Sequence, residues 1–190
     1  MQYGHCCASM AGVVRPIGRQ TVFRPKCTDD VWAKTPIWHN VRTRGPDVND
    51  LELLLEERAI LRALHEYAHA MDYGHEDAWV AVFTDDAVFD VVEVVGGRRV
   101  HREDGRGELA QYVANYPKPP HFRKHLVVDP IIDVTGDTAK VAAYWLLLQR
   151  EDDTGRPVVV AFGHYDDQWV KREGRWRIAH RYAEVEATTY

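Results

Sequence analysis

Three histidines and two carboxylates fall within eleven residues, His65-Glu66-Tyr67-Ala68-His69-Ala70-Met71-Asp72-Tyr73-Gly74-His75. His65 and His69 stand at i and i+4, so on a helix they share a face and can hold a zinc ion, with Glu66 as general base to the bound water. Asp72 points to different chemistry. A carboxylate that enters an apolar setting is costly unless it is paired, and a paired carboxylate is what orients and charges a neighbouring general base.

The element that must position these residues is a helix over Asp50 to His75, DLELLLEERAILRALHEYAHAMDYGH. Leu61, Leu64, Ala68 and Asp72 recur on one side at helical spacing, and Ile60, Tyr67 and Met71 widen the stripe. Asn49 or Asp50 can cap the start, Glu52 suits the positive end of the helix dipole, and Gly74 can end the helix in a left-handed conformation. Asp72 therefore sits in the last turn at the edge of the apolar face, and the spacing predicts that it has a partner elsewhere in the chain.

Composition narrows the class. A chain of 190 residues with net charge −5 and both signs interspersed fits one domain plus an arm, and lacks the basic excess of a nucleic-acid binder. No apolar run approaches the ~20 residues of a membrane span. The start shows no basic segment followed by an apolar one, so the expectation is a cytoplasmic protein. Cys6, Cys7 and Cys27 all lie in the first segment without a C-x-x-C pair, which fits a reducing compartment and no cysteine-built metal site. Residues 1 to 48 lack periodicity and read as an irregular N-terminal extension, with Trp32, Ile37 and Trp38 as its anchors; residues 49 to 190 form the body.

After the long helix the pattern predicts a short helix over 76–83, a turn at Thr84-Asp85-Asp86, a strand over 87–95, a Gly96-Gly97 hairpin into 98–101, and a third helix over 108–116 closed by prolines. Strands follow over 121–134, 138–150, 157–171 and 175–188, with Pro130 marking an edge or a bulge. The strand over 138–150 is apolar on both faces and reads as central. Helices first and a meander after them predict an α+β domain, a cone-shaped curved antiparallel sheet wrapped around N-terminal helices, with a blind ligand pocket inside.

The string EYAHAMDYGHEDAWVAVFTDDAVFD resembles the opening of SnoaL-like proteins of the nuclear transport factor two superfamily. So do Asp104-Gly105-Arg106-Gly107 at a helix start, His125 opening a long strand, the turn VTGDTAKVAAYW, and the closing GHYDDQWVKREGRWRIAHR. The resemblance spans roughly residues 50–187. It implies the same cone of sheet and helices. The superfamily holds cofactor-independent enzymes, among them scytalone dehydratase, a dehydrochlorinase and polyketide cyclases, and the non-catalytic β subunits of ring-hydroxylating dioxygenases. In the dehydratase and dehydrochlorinase an Asp near the end of the first helix orients a His that abstracts a proton. Asp72 matches that Asp by its place before G-H-E-D-A-W, and His125 matches that His at the head of its strand.

The resemblance thus implies a lyase or isomerase, without cofactor or metal, acting on a hydrophobic and cyclic small molecule through an Asp72–His125 base. The plainer alternative is that Asp72 caps a backbone N–H and His125 is a core histidine. His164 and Asp166 alternate along one strand face and are candidate pocket groups, Tyr67 offers a phenol near Asp72, and Trp79, Phe89 and Tyr144 are candidate pocket walls. A homo-oligomer is expected from the doubly apolar strand. A non-catalytic binding or assembly subunit of the same shape is the second functional reading. The remote third is a zinc metalloprotease: HEYAHAMDYGH follows the metzincin zinc pattern except that Asp72 stands where that pattern has Gly, and no Met follows Met71 to make its downstream turn.

Overall fold

The computed structural model describes residues 49–118 and 123–189. The extension over 1–48, with Trp32 and Trp38, lies outside them. Helix α1, Asp50–Tyr73, begins where the Asn49 side chain accepts the Leu51 N–H at 3.0 Å and ends at Gly74, φ 73°. Its buried stripe is Ile60, Leu64, Tyr67, Ala68, Met71 and Asp72, the face that the periodicity predicts. Helix α2 is short, Glu76–Val80, and strand β1 runs Phe83–Glu93. The expected turn at Thr84-Asp85-Asp86 is absorbed into β1 as a register shift between Phe83 and Val88, because a neighbouring strand holds both sides of it. Strand β2, Arg99–Asp104, and helix α3, Gly105–Asn115, both extend further toward each other than the pattern predicts.

Strands β3, Lys124–Thr135, β4, Thr138–Arg150, β5, Pro157–Arg172, and β6, Arg175–Thr188, form the antiparallel meander. The sheet order is β2-β1-β6-β5-β4-β3, and β1 joins β6 in parallel. The sheet is curved and unclosed, with β2 and β3 as its edges. β3 carries a bulge at Asp129-Pro130, where Asp129 has φ 50° and the register slips between Val128 and Ile131. Proline needs no ladder partner there.

The concave face packs against the helices. Val141, Trp145, Tyr165, Trp169, Ile178 and Ala183 meet Tyr67, Trp79 and Phe83 in one core. Asp167 and Arg181 lie fully buried within it as an ion pair. β5 bends at Gly163, where its register to β6 shifts, and the Trp145 indole donates to the Glu184 carbonyl at 3.1 Å across it. A Cβ on Gly163 would stand 1.8 Å from that carbonyl oxygen and 3.1 Å from Trp145 Cε2. Gly163→Ala is expected to cost about 3 kcal/mol, because backbone must move to admit one methyl group. Urea unfolding checks this, and a midpoint unchanged from the parent would contradict it.

Candidate active site

Asp72 is fixed by the way α1 ends. The Gly74 and His75 amides bond back to Met71 and Ala70 at 3.4 and 2.9 Å, which closes the last turn and holds the carboxylate on the buried side. β3 packs along α1 and brings its second residue, His125, to that carboxylate. The His125 backbone N–H reaches both Asp72 oxygens at 3.1 Å, and ring Nδ1 lies 2.7 Å from Oδ1. Asp72 thus accepts a backbone amide and contacts the imidazole at once.

The chemistry of the partners assigns the tautomer. A carboxylate only accepts, so Nδ1 carries the proton. Nε2 then presents a lone pair, and the Tyr116 hydroxyl, 3.2 Å away, donates to it. The Asp72 and His125 side chains are 5% and 9% exposed, so their bond is shielded from bulk water. Tyr116 stands just past α3 and its ring packs on His125 at 5.6 Å. A groove of about 230 Å³ between α1 and β3 reaches the pair, walled by Leu64, Ala68, Tyr73 and Val127.

The other sequence candidates divide. Tyr67, Trp79 and Phe89 are 2%, 0% and 3% exposed and belong to the aromatic core behind the pair. The Trp79 ring lies 5.6 Å from Tyr67 and 6.1 Å from Phe89. Tyr67 also covers the Arg181 guanidinium at 4.2 Å. Tyr144, His164 and Asp166 are a correction. They lie on the convex face, where Tyr144 pairs with His164 in register, its ring 6.0 Å away, and is 51% exposed. The strand parity that faces the helices is that of Tyr165, Asp167 and Trp169. His65 and His69 sit on the exposed side of α1 at the rim of the groove; Glu66 pairs with Arg62 at 2.7 Å, and His69 stacks on Tyr73 at 6.2 Å.

Three features of the interior escaped the sequence reading: Tyr116, Glu103, and the Asp167–Arg181 pair. The pair is bidentate, Arg181 Nε to Oδ1 at 2.9 Å and Nη2 to Oδ2 at 2.6 Å, with Trp169 Nε1 donating to the same carboxylate at 3.3 Å. The guanidinium is sandwiched between Tyr67 and Tyr165, the latter at 3.9 Å. Burial works against its charge, but the field and hydrogen bonds of Asp167 outweigh that and raise its affinity for the proton. Glu103, on β2, is pushed up to about 7, first by burial and then by Glu108, Asp104 and Asp90.

Among the described residues no helix is long and apolar enough to cross a membrane. No curated protein matches the chain. Solved structures do. The β subunit of a putative aromatic-ring-hydroxylating dioxygenase from Novosphingobium aromaticivorans is 26% identical, with a TM-score of 0.63 over 71% of this chain and 92% of that one. A putative scytalone dehydratase from the same organism is 23% identical, TM-score 0.61, over 72% and 88%. A third protein from that organism, described as NTF2-like with a cystatin-like fold, is 18% identical, TM-score 0.62, over 71% and 84%. The last two share the fold. The SnoaL-like domain family matches residues 52–182, most of the chain and all of the sheet from β1 to Tyr182 in β6, and the protein belongs to that family.

Proposed function

We propose that the protein is a cofactor-independent lyase or isomerase in which His125 is the general base and Asp72 its orienting partner. The observation that supports this is the 2.7 Å contact between Nδ1 and a shielded carboxylate, which leaves the Nε2 lone pair directed at Tyr116. A substrate carbon acid takes the place of the Tyr116 hydroxyl at Nε2. The base removes a proton from carbon next to a carbonyl, and the Asp72 charge stabilises the imidazolium that forms. The groove walls, Leu64, Ala68, Tyr73 and Val127, with the Tyr116 ring packed on His125, suit a hydrophobic cyclic molecule. Screening cyclic ketones by thermal shift identifies ligands, because binding to the folded state alone raises its apparent stability. Turnover of such a ligand that His125→Ala leaves untouched would overturn the reading.

A second reading, an assembly subunit, draws support from the convex face and from the dioxygenase β subunit among the similar structures. Leu126, Tyr144 and Phe162 are 40%, 51% and 42% exposed and share that face across β3, β4 and β5. Light scattering at micromolar concentration is expected to give at least a dimer mass, and Phe162→Lys is expected to shift it toward the monomer. A monomer in the parent protein would remove this face as an interface.

A further inference from the structure

The motif KREGRWR at the turn between β5 and β6 plays no part in the site above. In Arg175-Trp176-Arg177 the strand alternation sends the Trp176 side chain into the core, where its indole donates to Glu56 at 2.6 Å, and leaves both arginines on the other face. β1 runs beside this stretch with a break in its pairing. Phe83 stands opposite Ile178 and Val88 opposite His180, so residues 84–87 of β1 face a single residue of β6. A cavity of about 470 Å³ lies here, bordered by Thr84 and Asp85 of β1, Arg106 of α3, Arg172 of β5, and Arg175 and Arg177 of β6.

Four arginines from three elements thus border one space, where their charges repel. Arg106 binds Asp85 at 3.3 Å and Arg172 binds Asp86 at 3.2 Å; both contacts are exposed, hold little, and can be exchanged for a ligand. Arg175 and Arg177 pair with no carboxylate among the described residues, and Arg177 donates to the Arg172 carbonyl at 3.5 Å. Glu173 also borders the cavity, held in the turn at φ 54°, and pairs with none of the four. Thr84 is 3% exposed and its hydroxyl is in hydrogen-bonding geometry with no partner, although it lies close enough to Asp86 to help hold that carboxyl below its ordinary value. A buried hydroxyl without a partner, on the wall of a cationic cavity, calls for an acceptor.

We propose that this cavity is a binding site for a small phosphate monoester, its phosphoryl oxygens held by Arg175 and Arg177, with Arg106 and Arg172 turning to it from Asp85 and Asp86. Two unpaired guanidinium forks suit a ligand with about two charges and several acceptor oxygens. A phosphate monoester supplies both, with a charge of roughly −1.5 to −2 and three strong acceptor oxygens. A carboxylate supplies one charge and fills one fork. The cavity falls within the roughly 300–1,000 Å³ of small-molecule sites, so the organic group has room against Ala81 and Phe83. The site is separate from Asp72 and His125. Glu56, which holds Lys171 and Trp176 beside the arginines, precedes Asp72 on α1 by about 24 Å of helical rise. The proposal therefore stands whether or not that pair is catalytic.

Calorimetric titration with phenyl phosphate, inorganic phosphate and benzoate tests it, at about 0.15 M salt to screen loose surface attraction. Phenyl phosphate is expected to bind about tenfold more tightly than benzoate, to raise the melting temperature of the protein, and to shift the amide resonances of Thr84 and Arg106 but not that of His125. Arg175→Gln with Arg177→Gln is expected to weaken it by about tenfold or more, the scale of hydrogen bonds to a charged group. Arg156→Gln, which removes a like charge from the turn before β5, is expected to change it less than twofold. Urea unfolding checks that the double variant folds; if it does not, Arg106→Gln, at the exposed start of α3, takes its place with an expected loss of about threefold. No binding of phenyl phosphate at about 10 mM, benzoate binding as tightly, or the same loss in Arg156→Gln as in the cavity variants would overturn the site. Inorganic phosphate binding as tightly as phenyl phosphate would overturn the ester as its ligand.

Discussion

Arg181→Met is expected to lower unfolding stability by roughly 3–5 kcal/mol, the cost of leaving one member of a buried ion pair without its partner. Asp167 and Arg181 are both 0% exposed, so no water can replace the guanidinium. After the change the Asp167 carboxylate keeps the Trp169 indole, at 3.3 Å, but loses both charge-assisted bonds. The sandwich of Tyr67 and Tyr165 around the guanidinium is lost as well. Asp167→Leu with Arg181→Met should recover most of the loss, since two apolar groups leave no buried charge. Urea unfolding of the single and double variants measures both. A single variant within about 1 kcal/mol of the parent would mean that the pair contributes little.

The second large effect is catalytic. Asp72→Asn is expected to reduce kcat by ~10²–10⁴-fold on any ligand the protein turns over, and His125→Ala by at least as much. The amide keeps the shape of the carboxylate and can still accept the His125 backbone N–H. It cannot supply the charge that stabilises imidazolium, and its NH₂ can turn the ring to the other tautomer. The double variant should be little worse than either single one, because groups that act as a unit are not additive. Folding should survive, with a loss within about 2 kcal/mol for the charge-assisted bonds. A kcat within threefold of the parent in Asp72→Asn would end the proposal of an Asp–His base.

Much of the frame was readable because its causes are local. The span of α1 follows from a 3.6-residue apolar period, an Asn49 cap and a glycine stop, and the turns at Gly136 and Gly174 bound β4 and β6 where expected. The boundary of α2 and β1 was not readable, because pairing with β6 pulls the polar Thr84-Asp85-Asp86 into a strand. The pocket face of β5 was misjudged by one residue, which in a strand exchanges every side chain. His164 and Asp166 looked like chemistry, but the apolar parity of Tyr165 and Trp169 already named the inner face. Reading that parity would have found Asp167. Its partner Arg181 lies fourteen residues on, and only register puts them together. Glu103 was hidden because β2 was ended at His101.

Glu103 also gives the pH dependence of stability a definite sign. The folded state holds its proton up to about 7, whereas an unfolded glutamate releases it near the ordinary carboxylate value. Between these two values the folded state binds more protons, so stability contributed by this group falls as pH rises through the interval and is flat above it. Glu103→Gln should remove that decline, and thermal melts across this window would show it. A variant whose melting temperature tracks the parent at every pH would contradict it.

The parallel pairing of β1 with β6 has a kinetic consequence. Val88 lies beside His180, roughly ninety residues later in the chain, so the strand that joins the two halves of the sheet is synthesised after every other described strand. Closing so long a loop costs chain entropy before any contact rewards it, and a topology of this kind folds slowly, on the scale of ms to s. Until β6 emerges from the ribosome, β1 and β5 each present an unpaired edge, the condition under which nascent chains associate wrongly.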